Sequence, residues 1–275
     1  MSGLVRVARR PDGWMAPGPR PAGFDACGGP REHEDLCFLS GDWRIFQRVD
    51  GHRWSLDDLV TAWVAVSAGP EPEAHLDLGC GIGSVLMMVA WAYPAAEGVG
   101  VEAQVLSAGL ARRSLAYNGA TGRVSVVEGD FRAVAPARVG GWPLITGTPP
   151  YFAVGAAVES RAVQKGPCRV EHRGGVEDYL RAGSALLADD GRFVFCAAHG
   201  QTARVESEAA SLGFELARLD VVPKAGKAPL ISVFTAQRRS VSEWARSGVL
   251  EVRDVEGQWT GAFREVRARL GMPAG

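Results

Sequence analysis

From residue 74 onward, short runs rich in β-branched and other apolar residues alternate with longer stretches whose apolar positions recur at helical spacing. That is the rhythm of strand, crossover helix and parallel strand. The pattern predicts strands over residues 74–78, 98–102, 123–128, 143–147, 191–197, 214–222 and 230–236. It predicts helices over 84–93, 104–118, 177–187 and 204–212, with Asn118-Gly119 and Gly213 as stop signals. The expected fold class is α/β, a Rossmann-like, seven-stranded, mostly parallel sheet.

Upstream, Trp43 to Val49 alternates apolar and polar residues, Asp50-Gly51 supplies a turn and Arg53-Trp54 follows, the pattern of a short hairpin. Ser55, Asp57 or Asp58 can N-cap the apolar stretch Leu59 to Val66, which Gly69-Pro70 stops. Residues 1–40 are rich in Gly, Pro and Arg and lack periodicity, so they read as a flexible arm unable to offset its ordering entropy by burial. Asp12, the Glu32-Glu34-Asp35 cluster and the lack of an amphipathic run weaken a targeting-peptide reading. Residues 242–275 offer a helix, a strand at 249–253, an acidic residue-Gly turn and a closing helix ending near Leu270. The expected organisation is an arm over 1–40, a domain over 41–238 and an extension over 239–275. Within the domain, a hairpin-and-helix cap spans 41–70 and the core spans 74–238.

Composition narrows the class. With 275 residues, 47% hydrophobic and 22% charged, the chain can bury one sizeable core. A net charge of -1 does not advertise a polyanionic partner for the molecule as a whole, although local basic clusters can still hold one. The five cysteines form no C-x-x-C pair and leave one over, which argues against a disulfide framework and a zinc site and for a reducing compartment. No apolar run reaches the length of a membrane span. The expectation is a soluble cytoplasmic protein with no membrane association and no metal, its oligomeric state open.

Candidate chemistry begins at Asp77-Leu78-Gly79-Cys80-Gly81-Ile82-Gly83, directly after the first core strand. A glycine turn there lets backbone approach a ligand, and Glu102 at the tip of the next strand can accept both hydroxyls of a ribose. Asp77 and Gly79 are expected to face the pocket. The third glycine comes one position earlier than in the G-x-G-x-x-G fingerprint, which disfavours pyrophosphate and hence NAD. A lone glycine loop also serves as a plain strand-to-helix turn, and Asp130 alone could cap a helix. The elements gain meaning in combination.

Together, this loop, Glu102, Asp130 and the later Thr148-Pro149-Pro150-Tyr151 resemble the class I S-adenosylmethionine-dependent methyltransferases over residues 43–236. The resemblance implies S-adenosyl-L-methionine as cofactor. It implies that Gly79, Gly81 and Gly83 hold the methionine moiety, Glu102 the ribose, and Gly129-Asp130-Phe131 the adenine, with Asp77 in the same site. Asp57 falls where related enzymes close over the cofactor.

The Thr148-Pro149-Pro150-Tyr151 segment resembles the Asn-Pro-Pro-Tyr motif of amino-methyltransferases, with threonine in place of asparagine. Prolines fix φ and remove donors, so carbonyls can point into a pocket, while the aromatic ring offers a flat stacking surface. Threonine both donates and accepts where the amide oxygen only accepts, which loosens the match. With Phe46-Gln47-Arg48, Ser55-Leu56-Asp57-Asp58 and Arg169-Val170-Glu171-His172-Arg173-Gly174-Gly175, the closer resemblance is to the bacterial tRNA1(Val) adenine N6-methyltransferase family. That implies adenine N6 methylation in tRNA, or other RNA. Arg161, Lys165, Arg169 and Arg173, followed by Lys224, Lys227, Arg238 and Arg239, could contact phosphates or simply be solvated surface. Two readings stay open beside it: a protein glutamine or small planar metabolite as acceptor, and a binding module without turnover. His172 could serve a hydroxyl acceptor as a base, or be structural.

Overall fold

All five residues of Ala74–Leu78 are buried, as a strand covered on both faces requires. This strand lies inside the main sheet of a computed structural model that describes residues 3–151, 171, 174–238 and 247–275. In chain order the strands are β1 Leu4–Val5, β2 Glu34–Phe38, β3 Arg44–Arg48, β4 Ala74–Leu78, β5 Glu97–Glu102, β6 Val124–Glu128, β7 Trp142–Gly147, β8 Leu187–Ala198, β9 Phe214–Val222, β10 Ile231–Arg238 and β11 Gly248–Glu251. The helices are α1 Leu56–Ala65, α2 Ser84–Ala92, α3 Val105–Tyr117, α4 Phe131–Val134, α5 Val176–Leu186, α6 Thr202–Ser211 and α7 Gly261–Arg269.

The main sheet has eight strands in the order β11-β9-β10-β8-β7-β4-β5-β6. Strand β10 runs antiparallel to both neighbours, β8 and β9, and the remaining pairs are parallel. The seven expected strands are all present. The eighth, β11, comes from the C-terminal extension and adds to the sheet edge by pairing with β9 from Gly248↔Leu219 to Glu251↔Val222. Strand β8 also starts earlier than residue 191, because pairing runs on past Asp189-Asp190-Gly191 as an irregularity between Trp142 and Leu144 of the partner strand. The helix expected after Ser242 lies outside the described residues.

Two apolar cores form, one on each face of the sheet. Helices α1, α2, α3 and α7 contribute Leu59, Met87, Leu115 and Phe263 to one. Helices α5 and α6 contribute Leu180 and Val205 to the other, together with the stacked Phe195 and Phe234. Each such buried side chain stabilises the fold by about 1.5–3 kcal/mol relative to exposure. Helix α2 is buried from Ser84 to Trp91 on all sides, so it shows no amphipathic stripe.

The N-terminal forty residues depart from expectation. Strand β2 pairs antiparallel with β3 and parallel with β1, so the hairpin forms with the preceding segment and not with Arg53-Trp54. Four of the five β2 residues are buried, among them Asp35 and Leu36, each fully enclosed. Composition hid this because Leu36, Cys37 and Phe38 sit among charged and glycine residues. Leu36 and Cys37 are buried through pairing with β3, which packs on α3, and Glu34 reaches α3 itself, where Arg113 Nη1 meets its Oε2 at 2.7 Å and the same guanidinium stacks over Phe46. No described helix is long and apolar enough to cross a membrane.

Candidate active site

The order of strands leaves one natural crevice. After β4 the chain proceeds outward to β5 and β6, then returns to place β7 on the other side of β4. Loops leaving β4 and β7 therefore diverge, and ligands of such sheets bind in the gap beyond the strands' carboxyl ends. A cavity of about 850 Å³ occupies this place, lined by Gly79, Gly81, Glu102, Asp130, Thr148, Pro149, Pro150 and Tyr151. Asp57 lines it from the start of α1.

The glycine loop takes its shape from backbone that only glycine accepts readily. Gly79 has φ +61 and a Cβ there would fall 2.1 Å from the Tyr179 hydroxyl, whereas Gly81 has φ +56 and open space where its Cβ would stand. The loop is thus packed from behind at Gly79 and bare toward the cavity at Gly81. Glu102 braces it: Oε2 accepts the Gly81 N–H at 2.9 Å and Oε1 the Gln104 N–H at 2.6 Å.

Asp77 and Gly83 are not in the cavity wall. The Asp77 carboxylate is turned beneath the loop, where Oδ2 accepts the Leu86 N–H at 3.1 Å and Oδ1 the Thr146 hydroxyl at 2.7 Å. The orphan N–H groups of the α2 N-terminus draw the carboxylate to that side, so the expectation that it faces the pocket fails. His75 Nε2 lies 2.7 Å from the Thr146 oxygen, and with the hydroxyl given to Asp77 the ring nitrogen must be the donor. Burial raises Asp77 to about 7 and lowers His75 to about 3. Gly83 caps α2, with a Cβ position 3.2 Å from Ala111. Asp130 both lines the cavity and caps α4, accepting the Arg132 N–H at 3.0 Å.

On the opposite wall the Tyr151 hydroxyl donates to Asp57 Oδ2 at 2.7 Å and lies 3.2 Å from Cys196 Sγ. Burial, then Cys196 and Asp57, push that phenol well above its ordinary range. Asp58 accepts the Ser55 N–H at 2.9 Å and the Ser84 hydroxyl at 2.7 Å, which fixes the start of α1 to the start of α2. Burial raises Asp58 to about 8.

Several cavity residues have no signal in the sequence motifs. Tyr179 stands behind Gly79 with its ring 4.4 Å from Phe131, and only its place on the apolar face of α5 hints at it. Leu230 and Ile231 close the far wall. Arg53 reaches the cavity as well, its Nη1 held 3.0 Å from Asp35 Oδ2, and the same carboxylate oxygen accepts Arg6 Nε at 3.0 Å. Of the basic residues, Arg161, Lys165, Arg169, Arg173 and Arg239 lie outside the described residues, as does His172. Arg238 sits at the opposite end of β10 from Ile231, donating to the Ser184 carbonyl, so it is no part of the cavity mouth.

No family model matches the chain. A curated tRNA1(Val) (adenine(37)-N6)-methyltransferase of Porphyromonas gingivalis is 29% identical over 138 residues, 49% of this chain and 53% of the relative. The chain thus spans about half the length of the curated relatives it matches. A crystal structure of a predicted O-methyltransferase from Agrobacterium tumefaciens superposes with TM-score 0.57 at 20% identity, covering 79% of this chain and 98% of the other. M. jannaschii TYW2 in complex with AdoMet superposes with TM-score 0.51 at 14% identity, covering 75% and 86%. The fold is that of class I methyltransferases.

Proposed function

We propose that this chain is an S-adenosylmethionine-dependent N-methyltransferase acting on the N6 amine of an adenine in RNA. One observation carries the reading: the glycine loop, Glu102 and Thr148-Pro149-Pro150-Tyr151, which come from three separate strand ends, line a single cavity where the strand order reverses. The similarity to the P. gingivalis enzyme favours an adenine in tRNA as the acceptor.

The residues present suit the donor. Gly81 leaves bare backbone toward the cavity, Glu102 and Asp130 bring carboxylates, and Phe131 with Tyr179 adds an aromatic wall. A volume of about 850 Å³ holds a nucleoside and a planar acceptor together. When bound, S-adenosylmethionine supplies a methyl group activated by a positively charged sulfur.

The chain's own part is positioning. Glu102 takes the ribose hydroxyls while its bonds to the Gly81 and Gln104 N–H groups keep it from swinging away. An exocyclic amine is a poor nucleophile because its lone pair is delocalised into the ring. The Thr148 hydroxyl and the Pro149 carbonyl accept hydrogen bonds from its two N–H groups and draw the nitrogen toward a tetrahedral form. Tyr151, anchored at its hydroxyl, offers its ring as the surface on which the base lies. Leu230, Ile231 and Ala198 keep that wall apolar.

The experiment is incubation with methyl-labelled donor and total tRNA, followed by digestion to nucleosides. Label recovered as N6-methyladenosine is the expected result. Label recovered in protein or in small molecules would reject the RNA acceptor, and absence of both label and donor binding would reject the enzyme.

A further inference from the structure

The N-terminal segment and the C-terminal extension, none of whose residues lines the cavity described above, come together on one side of the molecule. Between them lies a second concavity of about 280 Å³ lined by Arg9, Arg10, Trp54, Trp259 and Arg267 among others, with no Asp or Glu in its wall. We propose that this groove binds single-stranded RNA, namely the nucleotides flanking the methyl acceptor. The proposal rests on the reading of RNA as the acceptor.

Charge and ring placement point to this ligand. Arg10 is held between the rings of Trp14 and Phe38, at 4.1 and 4.7 Å, and its charge is met by Asp42 at 2.5 Å. Arg9 is exposed, and Arg267 lies over the Trp259 ring at 4.0 Å; neither meets a carboxylate among the described residues. The groove thus offers two guanidinium groups with no ion-pair partner among the described residues, Arg267 also donating Nε to the Pro273 carbonyl at 3.0 Å, beside two partly exposed indoles. Phosphates need the first and unpaired bases the second, which is the pairing that single-stranded nucleic acids select. An acidic polypeptide would use the arginines and leave the indoles idle.

Location supplies the second argument. Arg53 lines the first cavity and Trp54 lines the groove, so one dipeptide separates the two. A base that enters the cavity must leave its helix, and its neighbours in the strand emerge unpaired beside this wall. A strand leaving the cavity past Arg53 would meet Trp54 first and the rest of the groove beyond it.

The test uses the full chain with S-adenosylhomocysteine present and a short, unstructured, dye-labelled RNA oligonucleotide titrated at several salt concentrations. Arg9→Gln is expected to lower the slope of log affinity against log salt by about 0.7, and Arg9→Gln with Arg267→Gln by about 1.4, with affinity down by tenfold or more. Calorimetric affinity for S-adenosylhomocysteine should stay at the wild-type value in both, and so should the melting temperature of Arg9→Gln, whereas the double variant also loses the Arg267 contacts with Trp259 and Pro273 and is compared well below its own melting temperature. An unchanged slope, or an equal loss of affinity for polyglutamate, would overturn the groove. If the wild-type chain labels RNA and the variants bind it normally, the groove alone falls. A wild-type chain that labels no RNA removes the acceptor reading, and with it the assignment of the groove to flanking nucleotides.

Discussion

The Tyr151 hydroxyl donates to Asp57 Oδ2 at 2.7 Å, joining positions 94 residues apart across the mouth of the cavity. The bond fixes the ring that the base is proposed to lie against, and it ties that segment to the helix proposed to close over the donor. Tyr151→Phe keeps the ring and loses the anchor, so kcat/KM should drop about tenfold, near 1.4 kcal/mol, with donor affinity unchanged. Tyr151→Ala removes the surface itself and should abolish transfer. Calorimetry beside a methyl-incorporation assay separates the two effects, and a Phe variant with wild-type turnover would deny the anchor any role.

Thr148 is where the segment departs from the Asn-Pro-Pro-Tyr motif that it resembles. Thr148→Val is nearly isosteric and removes the only hydroxyl proposed to hold the amine, so turnover should fall by about a hundredfold, in line with the loss of one transition-state hydrogen bond. Thr148→Asn restores an amide oxygen and should retain activity. A Val variant as active as wild type would place amine recognition elsewhere.

Glu102 braces the glycine loop and is proposed to hold the ribose, and substitution can split the two. Glu102→Gln keeps an oxygen for one N–H and should weaken donor binding by about tenfold, whereas Glu102→Ala also releases the Gly81 N–H and should weaken it by about a hundredfold. Equal affinities in the two variants, measured by calorimetry with S-adenosylhomocysteine, would show that bracing the loop adds nothing.

The two loop glycines should fail differently. Gly79→Ala drives a methyl group into the Tyr179 hydroxyl, 2.1 Å away, so it should destabilise the fold, and Tyr179→Phe should recover part of the loss. Gly81→Ala meets no atom within 4 Å and should cost only the backbone strain of positive φ, about 1–2 kcal/mol, while weakening donor binding. Melting curves read the first effect and calorimetry the second; equal melting temperatures for the two variants would contradict the packing described.

The pH dependence of stability follows from three buried groups. Asp58 and Asp77 are raised to about 8 and about 7, burial being the main cause of each. A carboxyl raised on folding binds its proton more tightly when folded, so its contribution is complete below about pH 4 and is lost as pH climbs through the folded value. His75, lowered by burial from 6.5 to about 3, acts in the opposite sense and loses stability as pH falls below 6.5. Above pH 6.5 only the two carboxyls still titrate, so stability should decline from there to pH 8. Asp58→Asn should flatten the decline by at most about 1.4 kcal/mol per pH unit, read as a melting-temperature difference that widens toward alkaline pH. Parallel curves would contradict the shift at Asp58.

The parts of this molecule that follow a local rule were legible in its sequence, and those set by distant partners were not. Strand β9 was bounded to the residue and β4 likewise, because apolar runs between turn signals need no tertiary help. The cavity loops were legible because each directly follows a strand. Asp77 was misread because a motif gives position and not side-chain direction, and the α2 N-terminus competes for its carboxylate. Strand β2 was missed for a related reason. Its ladder partner β3 packs on α3, some seventy positions away, and Glu34 of β2 is itself tied to Arg113 of that helix at a separation of 79.

Asp35 is fully enclosed and shared by Arg6 and Arg53. Arg53 belongs to the cavity wall, while Arg6 belongs to the opening stretch of the polypeptide. One carboxylate thus works as a coupling pin: a cleavage or an appended tag that dislodged Arg6 would leave Arg53 to carry the whole counter-charge, and the wall would feel a change made far from any reacting atom.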